Sequence, residues 1–271
     1  MKKPIILILG ITGMVGKVVY SYLKQNTSLQ IFGTIREKTK HTFSLEVKTA
    51  QKDLISLYKN IGTIDYIINC IGEIKKNADK PTVILTNSLF PHILEAITKK
   101  QKTRLIHIST DAVFGKKQKT VTEKDIPYPD TIYGISKLLG ECEEKNALTI
   151  RTSFLGFNQK NLKGYINQTW SGSTTLQFAQ FCEVLIEKDL FATIRAKTPI
   201  FHFVPIQPTT KYEIVKETRK LFGKSNTSKK VTGENINRIL ASNYPSSVLL
   251  RSYSKSIEAS LKELYDYNKK R

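Results

Sequence analysis

At 271 residues with 40% hydrophobic content, the chain fits one large domain or a nucleotide-binding domain with a smaller appendage, and wholesale disorder is excluded. Its three cysteines (Cys70, Cys142 and Cys182) are odd in number with no close pair, which excludes a disulfide framework and a cysteine zinc site; no metal is expected. The net charge is +20, but the lysines fall in scattered pairs such as Lys75-Lys76 and Lys229-Lys230, so nucleic-acid binding is not expected.

Lys2 and Lys3 precede an apolar run from Pro4 to Leu9. That run is too short for a signal peptide, is broken by Gly10, Thr12 and Gly13, and leads to no small-residue cleavage site. No stretch approaches the roughly 18 apolar residues of a membrane helix. The expectation is a cytoplasmic protein without a membrane partner.

Ile5 to Leu9 is a near-continuous aliphatic run, as a strand buried on both faces requires. Val15 to Leu23 reads as the helix after it. Gly10-Ile-Thr-Gly13-Met-Val-Gly16 joins the two. Glycines suit a tight turn whose backbone approaches a pyrophosphate, and the helix N-terminus offers that anion unpaired N–H groups and a positive dipole. Gly10, Thr12, Gly13, Met14, Val15 and Gly16 are therefore expected to bind a dinucleotide, with an ordinary strand-to-helix turn as the competing reading.

Leu29 to Ile35 is a second strand. Arg36 follows, 20 residues after Gly16, where an NAD site usually carries an acid for the ribose 2′-hydroxyl. A guanidinium matches a 2′-phosphate instead, so NADP(H) is the expected cofactor, and a solvated surface arginine is the alternative.

Glu46-Val47 lies near the end of a third strand, Asp53 to Tyr58 is a short helix, and Tyr66 to Asn69 is a fourth strand. A long helix over Thr82 to Lys99 leads to a fifth strand, Arg104 to Ser109. Ile132 to Lys145 is a helix and Leu148 to Arg151 a sixth strand. This alternation predicts an α/β fold with a Rossmann-type doubly wound parallel sheet. Beyond Ser153 the rhythm changes. Asn158 to Gly172 reads as loop, Thr174 to Glu187 as an amphipathic helix, Ile200 to Val204 as a strand, and Thr209 to Phe222 and Ser256 to Tyr267 as helices. The expected division is an NADP(H)-binding domain over 1–155 and a smaller α/β substrate-binding lobe over 156–271, partly interleaved with the first.

Tyr133-Gly-Ile-Ser-Lys137 puts a phenol and an ammonium one helical turn apart. A free tyrosine, with a pKa of about 10, is a poor acid or base near neutrality, and a neighbouring ammonium brings it down. Upstream, the fifth strand ends in His107-Ile-Ser109-Thr110-Asp111. A hydroxyl at the carboxyl end of a central strand stands where ligands sit in such sheets, so Thr110 can reach the oxygen that Tyr133 protonates. His92, His107 and His202 have no partner at metal-ligand spacing and read as structural.

The ordered set GITGMVG, INCIG at 68–72, TNSLFPHILEA at 86–96, HISTDAVFG at 107–115, YGISKLLGE at 133–141 and RTSFLG at 151–156 resembles the extended short-chain dehydrogenase/reductases. The resemblance is strongest to the dTDP-4-dehydrorhamnose reductase and sugar-nucleotide-binding family, over roughly residues 4 to 222. It implies Thr110, Tyr133 and Lys137 as a catalytic triad, with Cys70, Ile71 and Gly72 lining the cofactor. Asn87 would stand on the cofactor side behind the active site, and Asp111, Asn158 and Trp170 near the sugar. Trp170, the only tryptophan, reads equally as core. Two positions depart from the pattern: Glu46-Val47 stands where relatives carry an Asp toward adenine, and Asp111 where the fucose-synthase branch has a cysteine.

The implied activity is NADPH-dependent reduction of a nucleotide-linked 4-keto-6-deoxyhexose, feeding glycan synthesis, dTDP-rhamnose being the family's best-known product. A UDP-linked acetamido-deoxysugar is an alternative substrate. A nucleotide-sugar epimerase, a bifunctional epimerase/reductase, or a non-catalytic regulatory subunit like the β subunit of methionine adenosyltransferase are the rival readings. The expected partner is a nucleotide-diphosphate sugar, and a homodimer is left open.

Overall fold

Ile5–Leu9 (β1) is five aliphatic residues in succession, every one buried, so this strand belongs at the centre of a sheet covered on both faces. In the computed structural model, which describes residues 3–36, 42–74, 77–116, 120–157, 163–221, 229–244 and 254–270, it does. It is followed by Met14–Asn26 (α1), Gln30–Ile35 (β2), Phe43–Ser44 (β3), Ala50–Ile61 (α2), Tyr66–Asn69 (β4) and Lys80–Ile84 (α3). Asp79 caps α3 by accepting from the Thr82 amide at 2.9 Å, and Pro81 sits in its first turn, where its missing N–H is harmless.

The helix expected over 82–99 is interrupted. Leu85–Leu89 forms a π-helical turn before the chain resumes as Phe90–Lys100 (α4). Such turns are rare and cluster at functional positions, and this one holds Asn87. Next come Arg104–Thr110 (β5) and Ile132–Leu139 (α5), shorter than expected because the chain after Leu139 packs backbone to backbone on that turn. A Cβ on Gly140 would lie 1.9 Å from the Asn87 carbonyl oxygen.

Ala147–Thr152 (β6) completes the alternation. The stretch expected as loop over 158–172 contains strands: after Phe154–Leu155 (β7) come Gly164–Tyr165 (β8) and Gln168–Thr174 (β9). Polar composition concealed β9, whose partners are β7, Ile206–Thr210 (β11) and Ile236–Arg238 (β13). Between them lie Thr175–Glu187 (α6), opened by a capping box of Thr174 and Gln177, Leu190–Arg195 (α7) and Ile200–His202 (β10). Lys211–Leu221 (α8), Lys230–Val231 (β12) and Ile257–Lys269 (α9) complete the described elements; Phe222, expected to end α8, lies outside the described residues.

The large sheet runs β10-β6-β5-β4-β1-β2-β3, all parallel. One face packs under α1, α6 and α7, with Phe178, Phe181, Phe201 and Phe203 in its core; the other face packs under α2 and α4. The second half thus contributes an outer strand to the large sheet as well as the small sheet around β9. No helix of the described residues is long and apolar enough to cross a membrane.

Candidate active site

The turn after β1 can be built only with glycine. Gly10 has φ +76°, and a Cβ on Gly16 would lie 2.3 Å from the Gly10 carbonyl oxygen. Gly13 is the N-cap of α1 without a side-chain cap, and the first turn of α1 carries no acid. The N-terminal N–H groups and the helix dipole can therefore receive an anion. Thr12, Gly13 and Met14 are exposed there, Val15 is half-buried, and Gly156 closes over the Met14 thioether. Thr34, buried on β2, braces the turn: its Oγ1 accepts from the Gly10 amide at 3.2 Å and its carbonyl from Ile11 at 3.0 Å. Arg36 is exposed just past β2, its carbonyl accepting from Ser44 Oγ at 2.7 Å.

Cys70, Ile71 and Gly72 leave β4 on the same edge, and a Cβ on Gly16 would meet the Cys70 Cβ at 3.2 Å. Burial pushes the Cys70 thiol up to about 12, so it stays protonated. Asn87, expected behind the active site, lies against the 72–73 loop. It is fully buried, donates to the Glu73 carbonyl and accepts from the Glu73 amide, both at 2.8 Å, and donates to Ser136 Oγ at 3.1 Å. Its amide holds the 72–73 loop against α5.

Thr110 ends β5, and a short 3-10 turn, Asp111–Val113, follows it. α5 is locked against this turn, since a Cβ on Gly134 would lie 2.2 Å from the Ala112 carbonyl oxygen. That contact brings Tyr133 to Thr110. Thr110 Oγ1 donates to Asp111 Oδ1 at 3.0 Å and accepts from the Ala112 amide at 3.2 Å, and it is hydrogen-bonded to the Tyr133 hydroxyl. Asp111 is buried, hydrogen-bonded also by Ser153, and 4.0 Å from the Arg238 guanidinium. Burial raises its pKa against the pull of Arg238.

The side chains that act on the Tyr133 phenol are Thr110 and Asp111. Burial pushes the phenol up to about 12, the Thr110 bond opposing. Lys137 points instead into the sheet, donating to the Ile108 carbonyl at 2.6 Å, and burial brings its own pKa down to about 8. Desolvation outweighs the spacing of four on the helix. The phenol is therefore protonated at neutral pH.

Trp170 belongs to the lobe's core. It is 6% exposed, among Leu155, Ile206, Ile214 and Leu261, which fits the core reading of the two given for it. Asn158 lies outside the described residues. Three residues escaped the sequence reading: Ser153, Arg238 and Lys211, whose charge also acts on Asp111. Arg238 stands opposite Trp170 through the pairing of β13 with β9, and no local pattern announces that.

The profile of the NAD dependent epimerase/dehydratase family matches residues 6–166. The methionine adenosyltransferase 2 subunit beta of Xenopus laevis is 28% identical over 146 residues, which span 50% of this chain and 41% of that protein. Among solved structures, dTDP-4-dehydrorhamnose reductase from Bacillus anthracis in complex with NADP superposes with a TM-score of 0.78 at 18% identity, over 98% of this chain and 99% of that one. The reductase ortholog from Clostridium acetobutylicum gives 0.72 at 19% identity, over 97% and 99%. dTDP-glucose 4,6-dehydratase from Bacillus anthracis in complex with NAD gives 0.74 at 16%, over 99% and 97%.

Proposed function

The chain belongs to the NAD dependent epimerase/dehydratase family, whose members bind a nicotinamide dinucleotide, and from that premise we propose that it is an NADPH-dependent reductase of nucleotide-linked 4-keto-6-deoxyhexoses. The observation that carries the reaction type is Tyr133, a phenol kept protonated and bonded to Thr110 at the carboxyl edge of the sheet. Reduction of a ketone needs such a donor, because the forming alkoxide must receive a proton. The substrate class rests on the motif set HISTDAVFG and YGISK and on the likeness to dTDP-4-dehydrorhamnose reductases along nearly the whole chain.

The glycine turn, with Arg36 at its flank for a 2′-phosphate, would hold NADPH; bound there, it supplies a hydride. The Thr110 hydroxyl orients the substrate carbonyl oxygen, and Tyr133 delivers its proton to that oxygen. Lys137 holds the nicotinamide ribose. Asp111, with Arg238 and Lys211 beside it, faces the sugar. Incubating the protein with a panel of dTDP- and UDP-linked 4-keto-sugars, and following NADPH consumption, tests the reading. Absence of turnover across the panel sinks it.

The similarity to methionine adenosyltransferase 2 subunit beta favours one second reading, a regulatory subunit that binds NADP without turning over. Binding of NADPH with no turnover on any keto-sugar supports it. Stoichiometric oxidised cofactor retained through purification favours an epimerase that recycles it.

A further inference from the structure

His92 reads as structural from sequence spacing, because its neighbours meet it only in the fold. It stands in the first turn of α4, Glu95 follows one turn on, and Cys142 arrives from beyond α5. One ligand atom of each (a ring nitrogen, a carboxylate oxygen and Sγ) lies within 4.8 Å of the other two. Cys142 is fully buried and Glu95 is 8% exposed, while the His92 side chain reaches solvent.

Each of the three is held from its far side. His92 Nε2 lies 2.7 Å from the Leu139 carbonyl oxygen, which can only accept, so the ring hydrogen is on Nε2. In the neutral ring Nδ1 then turns its lone pair to Glu95 Oε2 at 3.2 Å, acceptor against acceptor. Glu95 Oε1 accepts from the Glu144 amide at 2.9 Å, which orients the carboxylate. Thr149 pins the Cys142 backbone, donating to its carbonyl at 2.8 Å and accepting from its amide at 2.9 Å. A histidine that ligates a metal gives its other ring N–H to a carbonyl or carboxylate in this way. Something positive belongs between Nδ1 and Oε2. A proton would serve those two atoms alone, whereas a metal cation also engages Sγ.

We propose that His92, Glu95 and Cys142 form a binding site for a divalent cation of the zinc class, with Nδ1, a carboxylate oxygen and Sγ as the ligands. One nitrogen, one oxygen and one sulfur suit a borderline-soft ion and not magnesium. Ligand atoms around such an ion lie about 3.3–3.8 Å apart, so Sγ has to approach by no more than about 1 Å. Carboxylate and thiolate together cancel the charge of the ion. The Pro91 and Gly140 carbonyl oxygens, 3.5 and 3.6 Å from Sγ, and the negative end of α5 add favourable partial charge. Binding breaks the Sγ–H bond, forms the metal–sulfur bond and releases the proton to solvent. Burial, and after it the Glu95 charge, push the Cys142 thiol up, so binding must weaken as the pH falls. The bound ion ties α4 to the end of the helix that carries Tyr133 and Lys137.

This inference does not rest on the reductase reading, and its test uses neither cofactor nor sugar. The full chain, kept reduced, is titrated with Co2+, whose bond to a thiolate absorbs in the near ultraviolet, and then with Zn2+. The expected result is one Co2+ per chain with that absorption, displaced by Zn2+. Zn2+ should also raise the melting temperature, and Mg2+ should produce neither effect. Cys142→Ala should lose the absorption, and His92→Ala, at an exposed position, should weaken Co2+ binding by roughly tenfold or more. A wild type without thiolate absorption at millimolar Co2+ overturns the proposal, whether or not the variants fold. So does an absorption that survives Cys142→Ala, or a Co2+ affinity unmoved by His92→Ala.

Discussion

Arg151 grips Glu141 with both prongs of its guanidinium, Nε to Oε1 at 2.8 Å and Nη2 to Oε2 at 2.7 Å, and each side chain is only 3% exposed. Ser109 Oγ also donates to Oε1, at 2.6 Å, and the guanidinium lies over the Phe114 ring. Such a pair contributes little net stability when intact, but removing one partner strands a charge away from water. Arg151→Met should therefore cost about 3–5 kcal/mol in urea unfolding. The double variant with Glu141→Leu should recover most of that loss. Equal losses in the single and double variants would contradict the account.

Tyr133→Phe removes the proton donor and keeps the ring. Single-turnover hydride transfer should fall by roughly 10²–10⁴, while NADPH affinity stays near wild type. A rate within a few-fold of wild type would remove Tyr133 from the role.

Arg36→Ala should weaken NADPH by about 1.5–3 kcal/mol and leave NADH nearly unchanged, the scale of one charge-assisted hydrogen bond. Titrating both cofactors against both proteins measures it. A wild type that prefers NADH would end the argument for a 2′-phosphate.

Trp170→Ala should cost about 3–5 kcal/mol of stability, the range for emptying a buried tryptophan site. The indole also fills the space over Gly172, where a Cβ would lie 2.4 Å from its ring. Thermal melting should show the drop, and the Michaelis constant of folded enzyme for sugar nucleotide should change little. The reverse pattern would return Trp170 to the substrate.

Lys137 titrates lower in the fold, about 8, than its ordinary 10.5 in an unfolded chain, so between those values the unfolded chain binds more protons. Stability from this group must rise with pH across that window. Comparing wild type with Lys137→Met, the wild type should gain on the order of 3 kcal/mol from pH 8 to 10.5. Chemical denaturation of both proteins at each pH reads the difference; a flat difference would place the ammonium in a solvated site.

The parts of the fold that local sequence controls are legible in it. The aliphatic run of β1, the glycine turn and the pairing of Tyr133 with Lys137 depend on neighbours within a few residues. The parts set by distant contacts are not. Ser153, Lys211 and Arg238 converge on Asp111 only because β9 gathers β7, β11 and β13 around itself. The π-helical turn at Asn87 leaves the helical pattern of 82–99 intact, so nothing in the apolar spacing betrays it. Lys137 sits at the correct spacing from Tyr133, yet the direction of its ammonium is decided by Ile108 and His107 on another element.

β10 reaches the large sheet from beyond α6 and α7 and runs parallel to β6, Phe201 beside Ile150. A protein cut after the sixth strand would end on a long row of bare amides and carbonyls, the kind of edge that recruits other chains. It would also uncover the face of α1 that α6 covers. The nucleotide-binding half is therefore not divisible from the α6–β10 segment. Any fragment that keeps the glycine turn and the Tyr133 helix but loses residues 175–203 should be insoluble rather than merely inactive.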